Sequence, residues 1–196
     1  MAQFPELLTD EILDEQIRYP LEGYLFPATY PFYKEDPTVE EIAVSMLNKS
    51  NEVLQEYREQ GAALGFSVHD LLTMASLIEE EATQQVERAK IASVFYNRME
   101  TGMPLQTDPT VLYAMGEHKE RVYYKDLEFE SPYNTYLHKG LPPSPIANSG
   151  VSSLDAVVSP EETDYFYFIA TPEGQVLFSK TYEEHLQKVD EHITNQ

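Results

Sequence analysis

The chain lacks cysteine altogether, and this absence removes several kinds of chemistry. Disulfide bonds, thiolate nucleophiles and cysteine-ligated metal sites are all excluded. The histidines do not repeat at the spacing of a helical zinc motif such as H-E-x-x-H, so we expect no metal site. Those histidines are His69, His118, His138, His185 and His192.

Basic side chains and long apolar runs are also scarce. Lysine and arginine together number 13, against 34 aspartates and glutamates, which gives a formal net charge of -21. A nucleic acid or an anionic lipid surface would require a basic patch, so neither is expected to be a partner of this segment. No apolar run reaches the roughly 20 residues of a membrane-spanning helix, and no signal peptide is visible.

The remaining composition is that of an ordinary globular protein, with 42% hydrophobic and 24% charged residues. A length of 196 residues is sufficient for one large domain or two small ones. Residues 1–20 contain a short polar helical segment, and we expect them to be a linker or fragment of an upstream module. Residues 21–196 are then expected to form the functional domain.

Capping signals predict where the first helices begin. Thr38 and Glu41 have the spacing of a capping box and predict a long helix that reaches about Gln60. After a glycine-containing break, Ser67 is the expected N-cap of the next helix. The apolar face of that helix contains Leu71, Leu72, Met74, Ala75, Leu77 and Ile78.

Two more helices follow in the middle of the chain. Apolar residues at helical spacing predict one from about Val86 to Met99. Asp108 followed by Pro109 predicts an N-cap with proline at the first helical position, and that short helix is expected to end at Gly116. The segment 131–150 is rich in Pro, Gly, Ser and Asn without periodicity, and so long a loop is more often functional than not.

The C-terminal third predicts a change to β structure. Ser152 or Ser153 is expected to cap a short helix that ends before Pro160. The segments DYFYFIA and QVLFSK, joined by the turn PEG, predict an antiparallel hairpin. Thr181 and Glu184 form a second capping box for a final helix. The fold class is therefore α+β, a mainly helical body with a small antiparallel β-hairpin.

Three consecutive glutamates, Glu79 to Glu81, end the most apolar helix. A solvated patch of charge is the simplest interpretation. Helical geometry nevertheless separates them, because Glu80 points away from the apolar face while Glu79 and Glu81 flank it. Glu81 lies beside the bulkier residues Met74, Leu77 and Ile78, where desolvation favours the protonated carboxyl needed for general-acid cleavage of a glycosidic bond.

Two other segments carry polar groups suited to a sugar ligand. Gln106 precedes Asp108 in LQTDPT, where a helix-capping turn is the alternative to a sugar contact. Tyr133, Asn134 and Tyr136 lie in the long loop, where aromatic faces can stack on sugars and polar tips can bind hydroxyls. Ordinary packing of tyrosine is the alternative interpretation there.

Several ordered motifs resemble the endolytic murein transglycosylase, or YceG-like, family. They cover nearly the whole chain from Leu21 onward, a combination far more specific than any single motif. The motifs are LEGYLFPATY, MASLIEEEA, IASVFYNRM, GMPLQTDPTVLYAMG, SPYNTY, GLPPSPIANSG, DYFYFIA and FSKTYEEH. One departure is Ala28, which stands where the family usually has aspartate.

The resemblance implies roles for particular residues. Glu81 matches the catalytic second acid of an E-x-E pair whose first member is Glu79, and Tyr133 is similar to a tyrosine that would orient Glu81 by a hydrogen bond. The substrate-binding set implied by the resemblance is Glu79, Gln106, Asp108, Asn134, Tyr136 and Asn148.

The reaction implied is cleavage of the β-1,4 bond between N-acetylmuramic acid and N-acetylglucosamine in peptidoglycan glycan strands. No water enters, and the muramyl C6 hydroxyl closes on C1 to leave a 1,6-anhydro end. The family also implies an N-terminal membrane anchor, a LysM-like module, an extracytoplasmic location and association with cell-wall synthesis or division proteins.

Three alternatives differ in mechanism. A hydrolase of the same bond would use a second carboxylate such as Asp108 to activate water. A non-catalytic glycan-binding or divisome module would bury Glu81 without using it. A pyridoxal phosphate lyase would need a Schiff-base lysine beside a phosphate site. Because no such site accompanies the lysines of this chain, we expect no cofactor.

Overall fold

The computed structural model describes residues 2–82, 87–117, 119 and 122–194. The helices in this part of the chain are α1 (Val39–Leu54), α2 (Arg58–Ala63), α3 (Val68–Glu81), α4 (Arg88–Glu100), α5 (Asp108–Met115), α6 (Val151–Val158) and α7 (Tyr182–Val189). A 3-10 turn (Asp10–Leu13) precedes them, and a π-helical turn (Asp190–Thr194) follows α7. The strands β1 (Tyr167–Ala170) and β2 (Val176–Ser179) pair antiparallel, which confirms the predicted α+β class.

The central element is α3, which packs against α4, α5 and α6. Every residue from Leu71 to Ile78 is buried, as the apolar face predicted. The predicted cap is confirmed, because the Ser67 hydroxyl accepts from the Asp70 backbone and the Asp70 carboxylate accepts from the Ser67 backbone. The helix ends at Glu81, where Ala82 turns to an extended conformation.

The long helix predicted from Thr38 is divided in two. The capping box of Thr38 and Glu41 is present, but α1 ends at Leu54 and α2 begins only at Arg58. Between them the ring of Tyr57 is buried, and its hydroxyl donates a hydrogen bond of 2.7 Å to Asp155 of α6. The prediction of one continuous helix was wrong because this distant contact sets the position of Tyr57.

Two predicted N-caps are also corrected. Thr107 rather than Asp108 caps α5, and Gly150 rather than Ser152 or Ser153 caps α6. In each case the side chain expected to cap has a distant partner: the Asp108 carboxylate accepts from Tyr136, and the Ser153 hydroxyl donates to Glu79. The predicted stop of α5 at Gly116 is confirmed by its left-handed conformation. The predicted start of α4 at Val86 lies outside the described residues.

The N-terminal segment belongs to the core. We expected residues 1–20 to be a linker, but apolar side chains at helical spacing in this segment are buried against the helical body. They are Phe4, Leu7, Leu8 and Ile12. A boundary at residue 21 therefore does not separate two packing units within the part of the chain that the structure describes.

The hairpin and α7 close one side of the body. Tyr167 pairs with Ser179 and Ala170 with Val176, while Phe168 packs edge-on against Phe95 of α4 at 6.1 Å between ring centroids. Thr181 caps α7 by accepting from the Glu184 backbone. Among the described helices, none combines the length and apolar character needed to cross a bilayer.

Candidate active site

A cavity of about 600 Å³ lies between the C-terminal end of α3, helix α4, the start of α5 and the hairpin with α7. The structure brings four of the predicted site residues to its wall: Glu81, Gln106, Asp108 and Tyr136. Helix α3 contributes its last residue, the turn before α5 contributes Gln106, and α5 contributes its first residue, Asp108. Residues distant in sequence therefore meet at one concave surface, as a binding site requires.

Glu81 carries the strongest electrostatic signature of the cavity. It is partly exposed to the cavity, although the protein around it removes most of the water that would solvate its charge. Burial first, and then the negative charge of Asp108, raise the pKa of Glu81 from an ordinary 4.5 to about 8, while Arg98 acts in the opposite direction. The carboxyl therefore retains its proton at neutral pH and can act as a general acid.

Glu79, two residues earlier, is in the opposite state. Its carboxylate accepts hydrogen bonds from the Gly150 backbone at 3.0 Å and the Ser153 hydroxyl at 2.8 Å, and it pairs with Arg88 at 2.8 Å. Burial acts to raise its pKa, but these bonds outweigh it and hold the pKa of Glu79 below its usual value. Glu79 thus satisfies the N-terminus of α6, where negative charge is favoured.

Asp108 and Tyr136 form a hydrogen-bonded pair in the cavity wall. The Tyr136 hydroxyl donates to Asp108 Oδ1 at 2.6 Å. Burial, and then this bond to a carboxylate, raise the pKa of Tyr136, so its phenol remains protonated. The pair therefore offers a fixed negative charge close to Glu81 together with polar atoms that can bind hydroxyl groups.

Gln106 has a left-handed backbone, with φ of 53°, which is rare for a residue other than glycine. The long loop holds this conformation in place: the Gln106 backbone donates to the Thr135 carbonyl at 3.1 Å, and the Thr107 backbone donates to the Thr135 hydroxyl at 3.0 Å. The exposed Gln106 side chain is thereby directed to the cavity. Strained backbone held in this manner is frequent at functional sites.

Comparison with known proteins identifies the family of this chain. The model of the YceG-like family matches residues 2–191. The chain belongs to the YceG-like family. The chain is 53% identical over 193 residues to an endolytic murein transglycosylase of Bacillus subtilis (strain 168), covering 98% of this chain and 54% of that protein.

Two further comparisons extend this likeness. The chain is 36% identical to an endolytic murein transglycosylase of Streptococcus pneumoniae serotype 2 (strain D39 / NCTC 7466), covering 100% of this chain and 36% of that protein. The crystal structure of a YceG-like protein from Listeria monocytogenes superposes with a TM-score of 0.91 at 52% identity, covering 95% of this chain and 61% of that one. The chain spans about half or less of the curated relatives' length.

Arg98 is a cavity residue that sequence reasoning missed. It is buried on α4, where its Nε donates to the Phe166 carbonyl at 2.7 Å and its Nη1 to the Leu105 carbonyl at 2.6 Å. Its guanidinium lies 5.3 Å from the centre of the Tyr167 ring. The signal was available in the sequence, because Arg98 continues the apolar stripe of Ile91, Val94 and Phe95 at helical spacing.

The predicted hydrogen bond from Tyr133 to Glu81 is corrected by the structure. The buried Tyr133 hydroxyl bonds to the Ser144 hydroxyl at 2.6 Å and accepts from the Arg18 backbone at 3.1 Å. No side chain among the described residues bonds to the Glu81 carboxyl. Tyr133 therefore anchors the long loop instead of contacting the acid.

Asn134 and Asn148 likewise stabilise loops. The fully buried Asn134 amide donates to the carbonyls of Leu127 and Phe129, and its oxygen accepts from the Tyr136 backbone at 2.9 Å. The Asn148 oxygen accepts from the Leu25 backbone at 3.2 Å. Neither of these side chains lines the cavity within the described structure, and Glu79 does not either, so direct sugar contacts predicted for these three are replaced by structural hydrogen bonds.

Neither a metal-binding cluster nor position 28 is found in the cavity among the described residues. The exposed Ala28, where the resemblance led us to expect aspartate, is not part of the cavity wall. Within the described ranges, the His, Asp and Glu side chains do not form a group of three or more that could hold a metal ion. His118, one of the histidines considered as a metal ligand from the sequence, lies outside the described residues.

Proposed function

We propose that this chain is the catalytic region of an endolytic peptidoglycan lytic transglycosylase, with Glu81 as its acid and base. The observation that carries the proposal is the position of Glu81 in the cavity, where burial and Asp108 keep its carboxyl protonated at neutral pH. The names of the relatives support the same substrate and reaction.

The reaction needs only one carboxyl, because the proton that Glu81 donates in the first step is replaced by the proton that it removes in the second. Glu81 donates its proton to the glycosidic oxygen between N-acetylmuramic acid and N-acetylglucosamine, and the bond from muramyl C1 to that oxygen breaks. The resulting carboxylate removes the proton of the muramyl C6 hydroxyl, whose oxygen forms the new bond to C1. The products are a 1,6-anhydromuramyl end and a free 4-hydroxyl on N-acetylglucosamine, and Glu81 is protonated again without water.

The other cavity residues assist in this scheme without exchanging protons. Arg98 provides positive charge that favours the carboxylate formed midway, and it lowers the pKa of Glu81 accordingly. Gln106, Asp108 and Tyr136, which line the same cavity, hold sugar hydroxyls. Tyr133 and Asn134 act at a distance, by fixing the loop that carries Tyr136.

The location follows from the substrate. Peptidoglycan lies outside the cytoplasmic membrane, so we place the enzyme at the extracytoplasmic face, anchored by a membrane segment of a longer protein. Proteins of cell-wall synthesis or division are the partners we propose, because termination of glycan strands has to be coordinated with their extension.

The decisive experiment is a digest of purified peptidoglycan, analysed by mass spectrometry, with the unaltered chain, Glu81→Gln and Glu80→Gln. Glu80 is the matched control, being the same residue type one position away and exposed. We expect anhydromuramyl ends from the unaltered chain and from Glu80→Gln, and a loss of at least about 100-fold for Glu81→Gln.

Each other result points to a named alternative. Reducing ends would indicate a hydrolase and would direct attention to Asp108 as the residue that activates water. Glycan binding without cleavage by either the unaltered chain or a longer form of the protein would indicate a non-catalytic module. Unchanged activity in Glu81→Gln would exclude Glu81 from the chemistry.

A further inference from the structure

Three aromatic rings pack against one another in a cluster on one wall of the Glu81 cavity. The ring of His185 on α7 stacks on Tyr167 of β1, with 5.3 Å between centroids and an interplanar angle of 29°. It also stacks on Tyr182, the first residue of α7, at 6.1 Å and 28°. Tyr167 and Tyr182 are themselves 5.7 Å apart. All three side chains line the same cavity as Glu81.

The ring of Tyr182 is the most exposed member of this cluster. Tyr182 is 58% accessible to solvent, so part of its ring is open. The Tyr167 ring is held in place, because the Arg98 guanidinium lies 5.3 Å from its centre and Arg98 is fixed by backbone carbonyls. An ordered aromatic cluster with one open ring is a preorganised platform for a flat, partly apolar ligand.

His185 adds a second observation. Its Nδ1 is buried without a hydrogen-bond partner among the described residues. A buried polar atom without a hydrogen bond lowers the stability of the fold. A phenylalanine ring would pack in the same place without that cost. His185 is therefore a cavity-wall residue with a polar atom that the described part of the chain leaves unpaired.

We propose that Tyr182, His185 and Tyr167 form a sugar-stacking subsite that binds the pyranose ring of an N-acetylhexosamine in the glycan strand, next to the bond cleaved at Glu81. This inference rests on the proposed function and extends it by assigning a binding role to the hairpin and α7.

The chemistry of the ligand agrees with the chemistry of the wall. One face of an N-acetylhexosamine ring presents C–H groups, which pack against an aromatic face, while its rim presents hydroxyl and amide groups. Tyr167 and Tyr182 provide hydroxyls beside the rings to meet that rim. A phosphorylated or strongly anionic ligand is disfavoured, because the cavity also holds Asp108 and the chain has a net charge of -21.

The subsite should affect binding more than chemistry. The stacked rings exchange no proton with the scissile bond, so their contact with sugar has the same strength before and during bond cleavage. Such uniform binding changes KM and leaves kcat nearly constant. This split distinguishes the subsite from Glu81, whose loss would reduce kcat.

The test compares Tyr182→Leu and Tyr182→Phe with the control Tyr33→Ala. Leucine keeps apolar packing against Tyr167 and His185 but lacks a flat face, whereas phenylalanine keeps the face and loses only the hydroxyl. Tyr33 is a fully exposed tyrosine that does not line the cavity. The measurements are KM and kcat on uncrosslinked glycan strands, and the Kd of chitooligosaccharides for each variant combined with Glu81→Gln.

We expect Tyr182→Leu to raise both KM and Kd about fivefold to tenfold, with kcat within about twofold of the unaltered chain. Tyr33→Ala should change neither constant by more than about twofold. Tyr182→Phe keeps the aromatic face and loses one hydroxyl to the sugar rim, so it should raise Kd by less than Tyr182→Leu does. His185→Phe is the second variant: it keeps the stack and removes the ring nitrogens, and we expect it to raise Kd about threefold. Melting temperatures of all variants verify that α7 remains folded.

The subsite would be overturned by an unchanged Kd and KM in Tyr182→Leu, or by the absence of any chitooligosaccharide binding to the Glu81→Gln protein. Neither result would affect the proposed function, which depends on the products of the digest. Conversely, full activity of Glu81→Gln would refute the proposed chemistry, while a weaker Kd in Tyr182→Leu would still support the subsite.

Discussion

The phenol of Tyr136 donates a hydrogen bond of 2.6 Å to the carboxylate of Asp108, and the pair lies in the cavity wall with Glu81. The long loop thereby holds a negative charge close to a carboxyl that is already desolvated. After burial, the charge of Asp108 is the second cause that raises the pKa of Glu81 to about 8. The charge of Asp108, held in place by Tyr136, thus helps to keep Glu81 protonated, and this connection can be tested.

Asp108→Asn should move the basic limb of the pH–rate profile to lower pH. General-acid cleavage needs protonated Glu81, so kcat/KM should fall as the pH rises through about 8 in the unaltered chain. Removing the Asp108 charge makes the Glu81 carboxylate less unfavourable, which lowers its pKa. Near pH 8 the lower pKa of Glu81 should reduce kcat/KM by about twofold to threefold. Any loss of sugar contacts in Asp108→Asn would come in addition and would not depend on pH.

Tyr136→Phe is the matched control for that experiment, because it removes the donor and keeps the charge of Asp108. We expect its basic limb not to move to lower pH. A limb at the same pH in Asp108→Asn as in the unaltered chain would contradict an electrostatic link between Asp108 and Glu81.

Glu81→Gln should become more stable relative to the unaltered chain as the pH rises. The folded state holds the Glu81 proton to about pH 8, while the unfolded chain releases it near the ordinary value of 4.5. The unfolded state therefore binds fewer protons in this window, and the stability of the unaltered chain declines as the pH rises through it. Glutamine cannot ionise, so urea unfolding should show a relative gain of about 1–3 kcal/mol between roughly pH 5 and pH 8.

The same unfolding series contains its own check. The relative gain should be absent below the unfolded pKa, where both states of the unaltered chain are protonated. A constant difference between the two proteins at every pH would show that Glu81 titrates alike in the folded and unfolded chain.

Glu79→Gln should destabilise the fold at neutral pH. Glu79 has a side chain that is 28% exposed, and it connects Arg88 with the N-terminus of α6. Breaking a partly buried pair leaves Arg88 uncompensated, and we expect a loss of about 1–3 kcal/mol in the free energy of unfolding. Because the folded pKa of Glu79 is lowered, its contribution is present above the unfolded value and is lost as the pH falls through the folded value.

The control for Glu79 is Glu52→Gln. Glu52 forms an exposed ion pair with Lys49, and the solvent screens such pairs strongly. Its removal should leave the midpoint of urea unfolding almost unchanged. Equal effects of the two substitutions would refute the structural role of the Glu79–Arg88 pair.

Gln106→Gly and Gln106→Ala should separate the backbone strain from the function of the side chain. Glycine adopts a φ of 53° without strain, whereas alanine retains the strain, so the glycine variant should be more stable by about 0.5–1 kcal/mol. Both variants lack the amide, and both should lose about threefold to tenfold in kcat/KM if it binds sugar. Full activity in both would remove Gln106 from substrate binding.

Local features of the fold were readable from the sequence because they depend on neighbours within one turn. The caps of Thr38, Ser67 and Thr181 and the stop at Gly116 involve side chains and backbone groups only a few residues apart. The N-cap of α5 was wrong because the Asp108 carboxylate binds Tyr136 of the long loop.

The candidate site, like the fold, could be predicted from the sequence only in part. Helical geometry favoured Glu81 over its neighbours, since its desolvation by bulky residues one turn earlier is a local effect. Tyr133 was assigned to Glu81 by resemblance, whereas the structure directs its hydroxyl to Ser144 and the Arg18 backbone. Arg98 was missed, although its place on the apolar stripe of α4 was a visible signal.

The sequence by itself determined most of the helices, the hairpin, the family motifs and which glutamate is most strongly desolvated by its neighbours in the helix. Only the tertiary structure decided that Asp108 and Tyr136 meet near Glu81, that Glu79 is held by Arg88 and α6, and that α7 adds its rings to the cavity. The physical reason is the separation along the chain of the residues that interact. Helix caps and faces arise from contacts within a few residues, whereas the pKa of a carboxyl depends on every charge and on the loss of water that packing brings to it.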